Sequence, residues 1–455
     1  MNIIVVGDGK VGYTLAEYLS KDGHDVTIVD KNRQALLKAS ETLDVMCIMG
    51  NGANVRTLLE AGVEEADVVI AATTNDEMNM VCCLAAKQMG AQYTIARIRD
   101  PEYTESLTML QDKLSIDQVI NPERATAQEI SRLFRFPFAI NIETFAHGRV
   151  EMVEFRVEER DPIVGIPLSG LHSHYPRVLF TAAQRGSEAF IPDGNFEIHA
   201  GDRLYVTGDR EAVARFFKQL GKDTQRVKSA ILLGGGHISY YLAKIIAGMG
   251  VQLKIIEMKE EKCRTLSETL DDVTVICGDG TDRELLESEN MRGFDSLVCL
   301  TDRDEENLIT GLYGARSGVR KVIVKLNRLN TMDVIEEMGI DSVVSPKMTT
   351  ANVILRSVRA RSNSSGSMIE KAYSMLGGKV EAYEFTALEG AGYLNIPLHR
   401  LGIKKGVLVA LLVRNRRCII PFGGDHIEAG DTVILTARAG TVVDLEDAFD
   451  VTETI

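Results

Sequence analysis

A glycine cluster that occurs twice limits this chain more than any other feature. Gly7-Asp8-Gly9-Lys10-Val11-Gly12 follows the apolar run Ile3–Val6 and opens a helical pattern, and Gly234-Gly235-Gly236-His237-Ile238-Ser239 does the same 227 positions later. An acidic residue follows at the same offset, Asp30 and Glu257. Gly50-Asn51-Gly52-Ala53 answers to Gly278-Asp279-Gly280-Thr281 at an offset of 228, which also links Thr73 to Thr301, Asp76 to Asp304, Asn79 to Asn307 and Arg97 to Lys325. The repeat continues through Gly165-Ile166-Pro167-Leu168 and Asn395-Ile396-Pro397-Leu398, and through Ala200-Gly201-Asp202 and Ala429-Gly430-Asp431. Such a period lies far above the roughly 20–50 residues of solenoid repeats, so it marks tandem duplication of a whole unit.

Within each copy the first part alternates apolar strand-like runs with helical patterns. In copy one the runs are Ile3–Val6, Asp25–Val29, Val45–Met49, Val68–Ala71 and Tyr93–Arg97, with helical stretches such as Val11–Leu19 and Asn79–Met89 between them. This alternation predicts parallel strands joined by right-handed crossovers, an α/β fold with a Rossmann-like doubly wound parallel sheet in each copy. The second part of each copy, about 139–222 and 368–450, has short strands, Gly-Asp turns and one late helical stretch, Arg210–Leu220 in copy one. It reads as a small α+β lobe. Helical patterns after Pro122 and Pro346 join the two parts, and Ser362-Asn363-Ser364-Ser365-Gly366-Ser367 reads as a joint. The expected divisions are 1–122, 123–138, 139–224, 225–346, 347–367 and 368–455.

Composition narrows the function classes. The 455 residues carry 45% hydrophobic and 25% charged residues, as an ordinary globular chain does. The strongest apolar run, Leu408–Val413, is strand-length, well short of the ~18 residues of a membrane span. No basic leader precedes Ile3, so a signal peptide is not expected and the cytoplasm is the expected compartment. A net charge of −14 argues against nucleic acid as partner, since phosphate backbones demand clustered Lys and Arg. Seven cysteines show no metal spacing, and His172 and His174 have no third ligand near them. No metal site is expected.

The glycine turns point to a dinucleotide. The first glycine makes the tight strand-to-helix turn, the second admits the pyrophosphate, and the third lets helix and strand pack, with the anion at the helix N-terminus. Asp30, at the end of the next strand, suits ribose hydroxyls and opposes a 2′-phosphate, favouring NAD; Lys31 and Arg33 follow it. The second turn keeps the acid, Glu257, but Ser239 replaces the last glycine and adds a side chain where close packing is wanted.

Further candidates fall at the carboxyl ends of strands, where ligands bind in such sheets. Asn51-Gly52 and Asp279-Gly280 follow the third strand, and Thr73-Thr74 and Thr301-Asp302 the fourth. Each also suits a helix cap. Arg97 and Arg99 alternate, so they share a face and are placed to reach phosphates; Lys325 and Asn327 stand there in copy two.

These segments resemble RCK (regulator of potassium conductance) domains over nearly the whole chain. GDGKVGYTLAEYL, VTIVDKN, AATTNDEMN and IARIRDPEY look like one RCK-N domain, and GGGHISYYLAK, VICGDGTD and LTDRDEEN like a second. GIPLSGL with HAGDRLYVTG, and NIPLHRLG with EAGDTVILTA, look like two RCK-C lobes. The resemblance implies a homo-oligomer, a tetramer, forming a cytoplasmic ring on the inner face of the cell membrane under a potassium-translocating subunit. Adenine nucleotides, NAD⁺, NADH, ATP or ADP, would regulate it. It carries first-site roles to the residues 7–12, Asp30, Asn51, Thr73, Thr74, Arg97 and Arg99, and second-site roles to Glu257, Asp279 and Thr301. The helix around Glu123–Phe136 would be the crossover, with Leu133, Phe134, Phe136 and Phe138 packing at that contact.

The competing class is an NAD-dependent dehydrogenase. That chemistry needs a general acid–base and a substrate clamp, usually on a sizeable second domain. The segments between the Rossmann parts are short and repeat each other, and His147 and His199 have no counterparts in copy two. The sequence favours a sensor without catalytic residues.

Overall fold

The computed structural model describes residues 1–103, 115–171, 175, 177–222, 224–327, 340, 342–362, 369–442 and 444–450. His172, His174 and the joint residues 363–367 lie outside these. The described residues group into two compact units, Met1–Ser131 with Lys228–Val358, and Arg132–Val227 with Arg359–Ile455.

The first unit holds two parallel sheets of one topology. In copy one, β1 (Asn2–Val6), β2 (Asp25–Asp30), β3 (Met46–Met49), β4 (Val68–Ala71), β5 (Tyr93–Arg97) and β6 (Gln118–Ile120) lie in the order 3-2-1-4-5-6. β1 pairs with both β2 and β4, so the chain turns to opposite sides of β1, and a crevice opens at its carboxyl end. Successive residues of β1 serve different layers. Ile3 and Val5 pack with Leu15 and Leu19 of the helix Lys10–Lys21, and Ile4 and Val6 with Cys82, Cys83 and Ala86 of the helix Asp76–Gln88. Helices on both sides explain the unbroken apolar strands. The cysteines are core: burial pushes the Cys82 thiol up to about 12.

Further along the chain, β7 (Asn141–Phe145), β8 (Val150–Arg156), β9 (Leu179–Arg185), β10 (Glu188–Phe190) and β11 (Arg203–Asp209) precede the second parallel sheet. That sheet repeats the order with β12 (Ser229–Leu233), β13 (Gln252–Glu257), β14 (Val273–Cys277), β15 (Ser296–Cys299), β16 (Lys321–Lys325) and β17 (Ser342–Val344). The sixth strand of each sheet, only three residues long, carries too little pattern to read from sequence.

The helix Pro346–Ser362, which follows the second parallel sheet, completes the core of the first. Its Ala351, Ile354, Leu355 and Val358 join Ile3, Val5, Leu15 and Leu19 in one apolar cluster. Thr349 on it donates to Glu129 of the helix Pro122–Leu133 at 2.9 Å. Asn121 Nδ2 of copy one donates to the Tyr241 hydroxyl of copy two at 2.8 Å.

The second unit holds two antiparallel sheets, ordered 10-9-11-8-7 and, with β18 (Ile369–Met375), β19 (Val380–Thr386), β20 (Val407–Arg414), β21 (Arg417–Ile419) and β22 (Thr432–Arg438), 18-19-22-20-21. These are one topology read from opposite edges. Both sheets carry a bulge at the same place, skipping Thr181 against β11 and Ala410 against β22. The repeated Gly-Asp turns have a structural cause. Buried Asp202 takes a two-pronged bond from Arg185 at 2.8 and 2.7 Å, and buried Asp431 takes the same from Arg414 at 2.9 and 2.7 Å.

Phe136 and Phe138 pack tilted against Phe217 of the helix Arg210–Gln219, with ring centroids 6.1 and 4.4 Å away. One expectation changes here. The second small lobe ends in a short 3-10 turn, Leu445–Ala448, where the first has that helix.

Candidate functional site

The two glycine turns stand at the carboxyl ends of β1 and β12, at the crevice of each sheet. Gly7 has φ +101° and Gly234 φ +100°, the left-handed region that side chains disfavour. A Cβ on Gly12 would fall 1.7 Å from the Gly7 carbonyl oxygen, so helix and strand meet with no room for a methyl group. Gly9 is the opposite case, with nothing within 4 Å of a Cβ placed there. It caps the helix Lys10–Lys21 without offering a side-chain acceptor, which leaves the first N–H groups of that helix for an anion. Gly236 has the same open side and the same capping position. Lys10 and His237, first in their helices, are exposed; Ile238 is buried and Val11 half-buried.

The sequence expects Ser239 to disturb packing; instead it is fully buried and donates its hydroxyl to the Gly234 carbonyl. The second turn holds a Cβ at this position, and the hydroxyl satisfies the Gly234 carbonyl.

Both acids are fixed by backbone N–H groups of their own turn. Asp30 accepts from Asp8 at 2.5 Å and from Asn32 at 2.7 Å. Glu257 accepts from Gly235 at 2.7 Å and from Lys259 at 2.9 Å. Each carboxylate thus sits beside its glycine turn and keeps lone pairs for a donor such as a ribose hydroxyl.

At the third strand, Asn51 accepts from the Ala53 N–H at 3.3 Å, and Asp279 from the N–H and hydroxyl of Thr281 at 2.9 and 2.7 Å. Those bonds hold the Asp279 carboxyl below its usual range. Gly52 is required, because a Cβ would meet Val6 Cγ1 at 2.1 Å; Gly280 sits less tightly, 3.3 Å from Leu233 Cδ2. At the fourth strand, Thr73 gives its N–H and hydroxyl to Asn79 Oδ1 at 2.9 and 2.7 Å, and Thr301 does the same with Asn307. Thr74 and Asp302 are exposed. None of these residues caps a helix. The caps fall later, on Asn54, Asn75 and Asp282, whose side chains accept helix N–H groups.

Asn79 and Asn307 are what sequence reasoning missed. Buried at the start of the helix after the fourth strand, each also donates from Nδ2 to the threonine carbonyl and to the carbonyl of Arg97 or Lys325. One amide therefore sets the spacing of the fourth- and fifth-strand loops. Their identity at the 228 offset was visible, but a polar residue on a helix's inner face gives no sign of what it reaches. Asp76 and Asp304 act similarly on the fifth-strand tail, accepting from the N–H groups of Arg99 and Asn327.

The two arginines are already engaged. Arg97 donates to the Thr73 carbonyl at 3.1 Å, with burial depressing its basicity, and its Nε takes no partner among the described residues. Arg99 Nε donates to Glu123 at 2.7 Å. In copy two, Lys325 reaches Asp302 at 3.3 Å.

A doubly wound sheet with a glycine turn at its switch point and an acid ending the next strand defines a dinucleotide-site Rossmann protein, here doubled in one chain. The TrkA-N domain model matches residues 3–122 and 230–346, and the TrkA-C domain model residues 152–221. "Trk system potassium uptake protein TrkA homolog 1" of Methanosarcina mazei is 34% identical, over 99% of this chain and 100% of that one. "Trk system potassium uptake protein TrkA" of Halomonas elongata is 31% identical, over 96% and 95%. The chain belongs to the TrkA family. Among solved structures, "GsuK Channel" is similar in fold, with TM-score 0.63, 17% identity and coverage of 98% of this chain and 77% of that one. No described helix is long and apolar enough to cross a membrane.

Proposed function

We propose that this chain is the nucleotide-sensing regulatory subunit of a potassium uptake system. It assembles as a homo-oligomeric ring, a tetramer, on the cytoplasmic face of a potassium-translocating membrane subunit. Its first site takes NAD⁺ or NADH at residues 7–12, Asp30, Asn51, Gly52, Thr73, Thr74, Arg97 and Arg99. The second takes an adenine nucleotide, ATP or ADP included, at residues 234–239, Glu257, Asp279, Gly280, Thr301 and Lys325. Relatives of nearly full-length match carry the name of Trk potassium uptake proteins, which supports regulation rather than catalysis. The divisions at 122, 138, 224, 346 and 367 are part of the same proposal.

The observation that carries the reading is the pairing of each open glycine turn with a carboxylate held by that turn's own N–H, Asp30 with Asp8 and Glu257 with Gly235. Such a site grips the pyrophosphate and the ribose at once. Regulation then follows from differential affinity: a nucleotide preferring one ring conformation shifts the population by its preference, commonly about 1–3 kcal/mol. The test is co-purification with the membrane subunit, then potassium flux in vesicles with each nucleotide. Flux indifferent to every nucleotide refutes it.

A further inference from the structure

Asp8 stands between the first two glycines of the first turn, where the second turn has Gly235. Its carboxyl group is buried, 9% exposed, and neither oxygen receives a hydrogen bond from the described residues. Its backbone N–H binds Asp30 Oδ2, so two carboxyl groups share one corner of the crevice.

The second copy shows why an acid fits here. A Cβ on Gly235 would lie 2.5 Å from Leu266 Cδ1 and 3.0 Å from Glu257 Cβ. Leu266 belongs to the helix Glu260–Thr269; its counterpart 227 positions earlier is Ala39, on the helix Arg33–Thr42. The residue pairs trade size: Asp8 goes with Ala39 in copy one, and Gly235 with Leu266 in copy two. In copy two the leucine leaves no room for a side chain at the turn. At this position of the turn only the first copy carries an ionisable side chain.

The groups facing Asp8 are few. Asp30 acts from the end of β2, Lys38 from the helix Arg33–Thr42, and Cys47 from β3. Lys347 on the helix Pro346–Ser362 lies near Lys38, and also near Lys10 and Glu17 of the turn's own helix. Burial, then Asp30, raises the Asp8 carboxyl to about 6 against the pull of Lys38.

We propose that the first nucleotide site is proton-linked through Asp8: binding there transfers a proton from solvent to the Asp8 carboxylate, and the second site has no such step. This rests on the nucleotide reading above. A seated nucleotide excludes water from the slot and brings phosphate charge to the same turn, and both disfavour a carboxylate. The protonated oxygen then donates to an acceptor beside it, the Asp30 carboxylate or a ribose oxygen.

The experiment is calorimetry of the full chain with NAD⁺, whose pyrophosphate diester does not titrate in this range. The chain carries Gly236→Glu to silence the second turn, a substitution whose Cβ meets nothing within 4 Å. Titrations at pH 6.5–7.5 in buffers of differing ionisation enthalpy count the protons. The expected result is uptake of a large fraction of one proton, with affinity weakening by up to about tenfold per pH unit. Asp8→Asn, and Asp8→Gly with Ala39→Leu, are expected to flatten that slope whatever they do to affinity. Binding without proton exchange, or uptake that persists in Asp8→Asn, overturns the proposal. No heat from NAD⁺ at any pH instead overturns the nucleotide reading beneath it.

Discussion

The Ser239 hydroxyl donates to the Gly234 carbonyl, the group whose counterpart on Gly7 would lie only 1.7 Å from a Cβ on Gly12. The two turns have therefore settled into different solutions of one packing problem. Gly12→Ala should destabilise the first Rossmann half by about 2 kcal/mol or more, because backbone rather than a flexible side chain must yield. Ser239→Gly should cost only about 1–2 kcal/mol, from the lost bond and the freer chain. Denaturant midpoints check the order, and equal losses would contradict it.

Gly9 faces open space, so a large side chain there should spare the fold and obstruct the ligand. Gly9→Glu is expected to keep its melting temperature within a degree or two while the first site's NAD⁺ heat disappears. Retained heat would place the ligand elsewhere.

Asn79→Ala removes four hydrogen bonds from a fully buried amide and frees two loops at once. A loss of about 2–4 kcal/mol is expected, with a matching loss for Asn307→Ala. Hydrogen exchange should rise first at residues 72–75 and 97–99. Protection unchanged there would show that the amide does not hold the loops.

Asp8 also gives a stability signature without ligand. Its folded-state carboxyl, at about 6, holds a proton more firmly than in the unfolded chain, so stability falls as pH rises from about 4 through about 6. Asp8→Asn should melt higher than the wild type at pH 7.5, with the gap closing toward pH 4. A gap independent of pH would mean that the carboxyl does not titrate in this window.

The sequence made legible what is local or periodic. The five longer strands of copy one, the glycine turns and both acids at the ends of the second strands lie where apolar runs and spacing put them, because parallel strands covered on both faces must be continuously apolar. The partners of polar side chains were not legible. Thr73 suits a cap as well as a ligand contact, yet its hydroxyl goes to Asn79, and Asn75 caps the helix. Arg97 and Arg99 share a strand face, but a carbonyl and Glu123 already engage them. The destination of the helix Pro346–Ser362 was equally hidden, since its apolar residues match any open sheet face and no local rule selects one so far back in the chain.

That last contact has a consequence for synthesis. The first sheet's core is closed by Ala351, Ile354, Leu355 and Val358, which leave the ribosome long after Ile120 ends β6. At roughly 5–20 residues per second, the amino-terminal half waits on the order of ten to fifty seconds with part of one apolar face uncovered. A nascent chain in that interval is a natural client for chaperones, and an early stop codon leaves a fragment that cannot finish its own first layer.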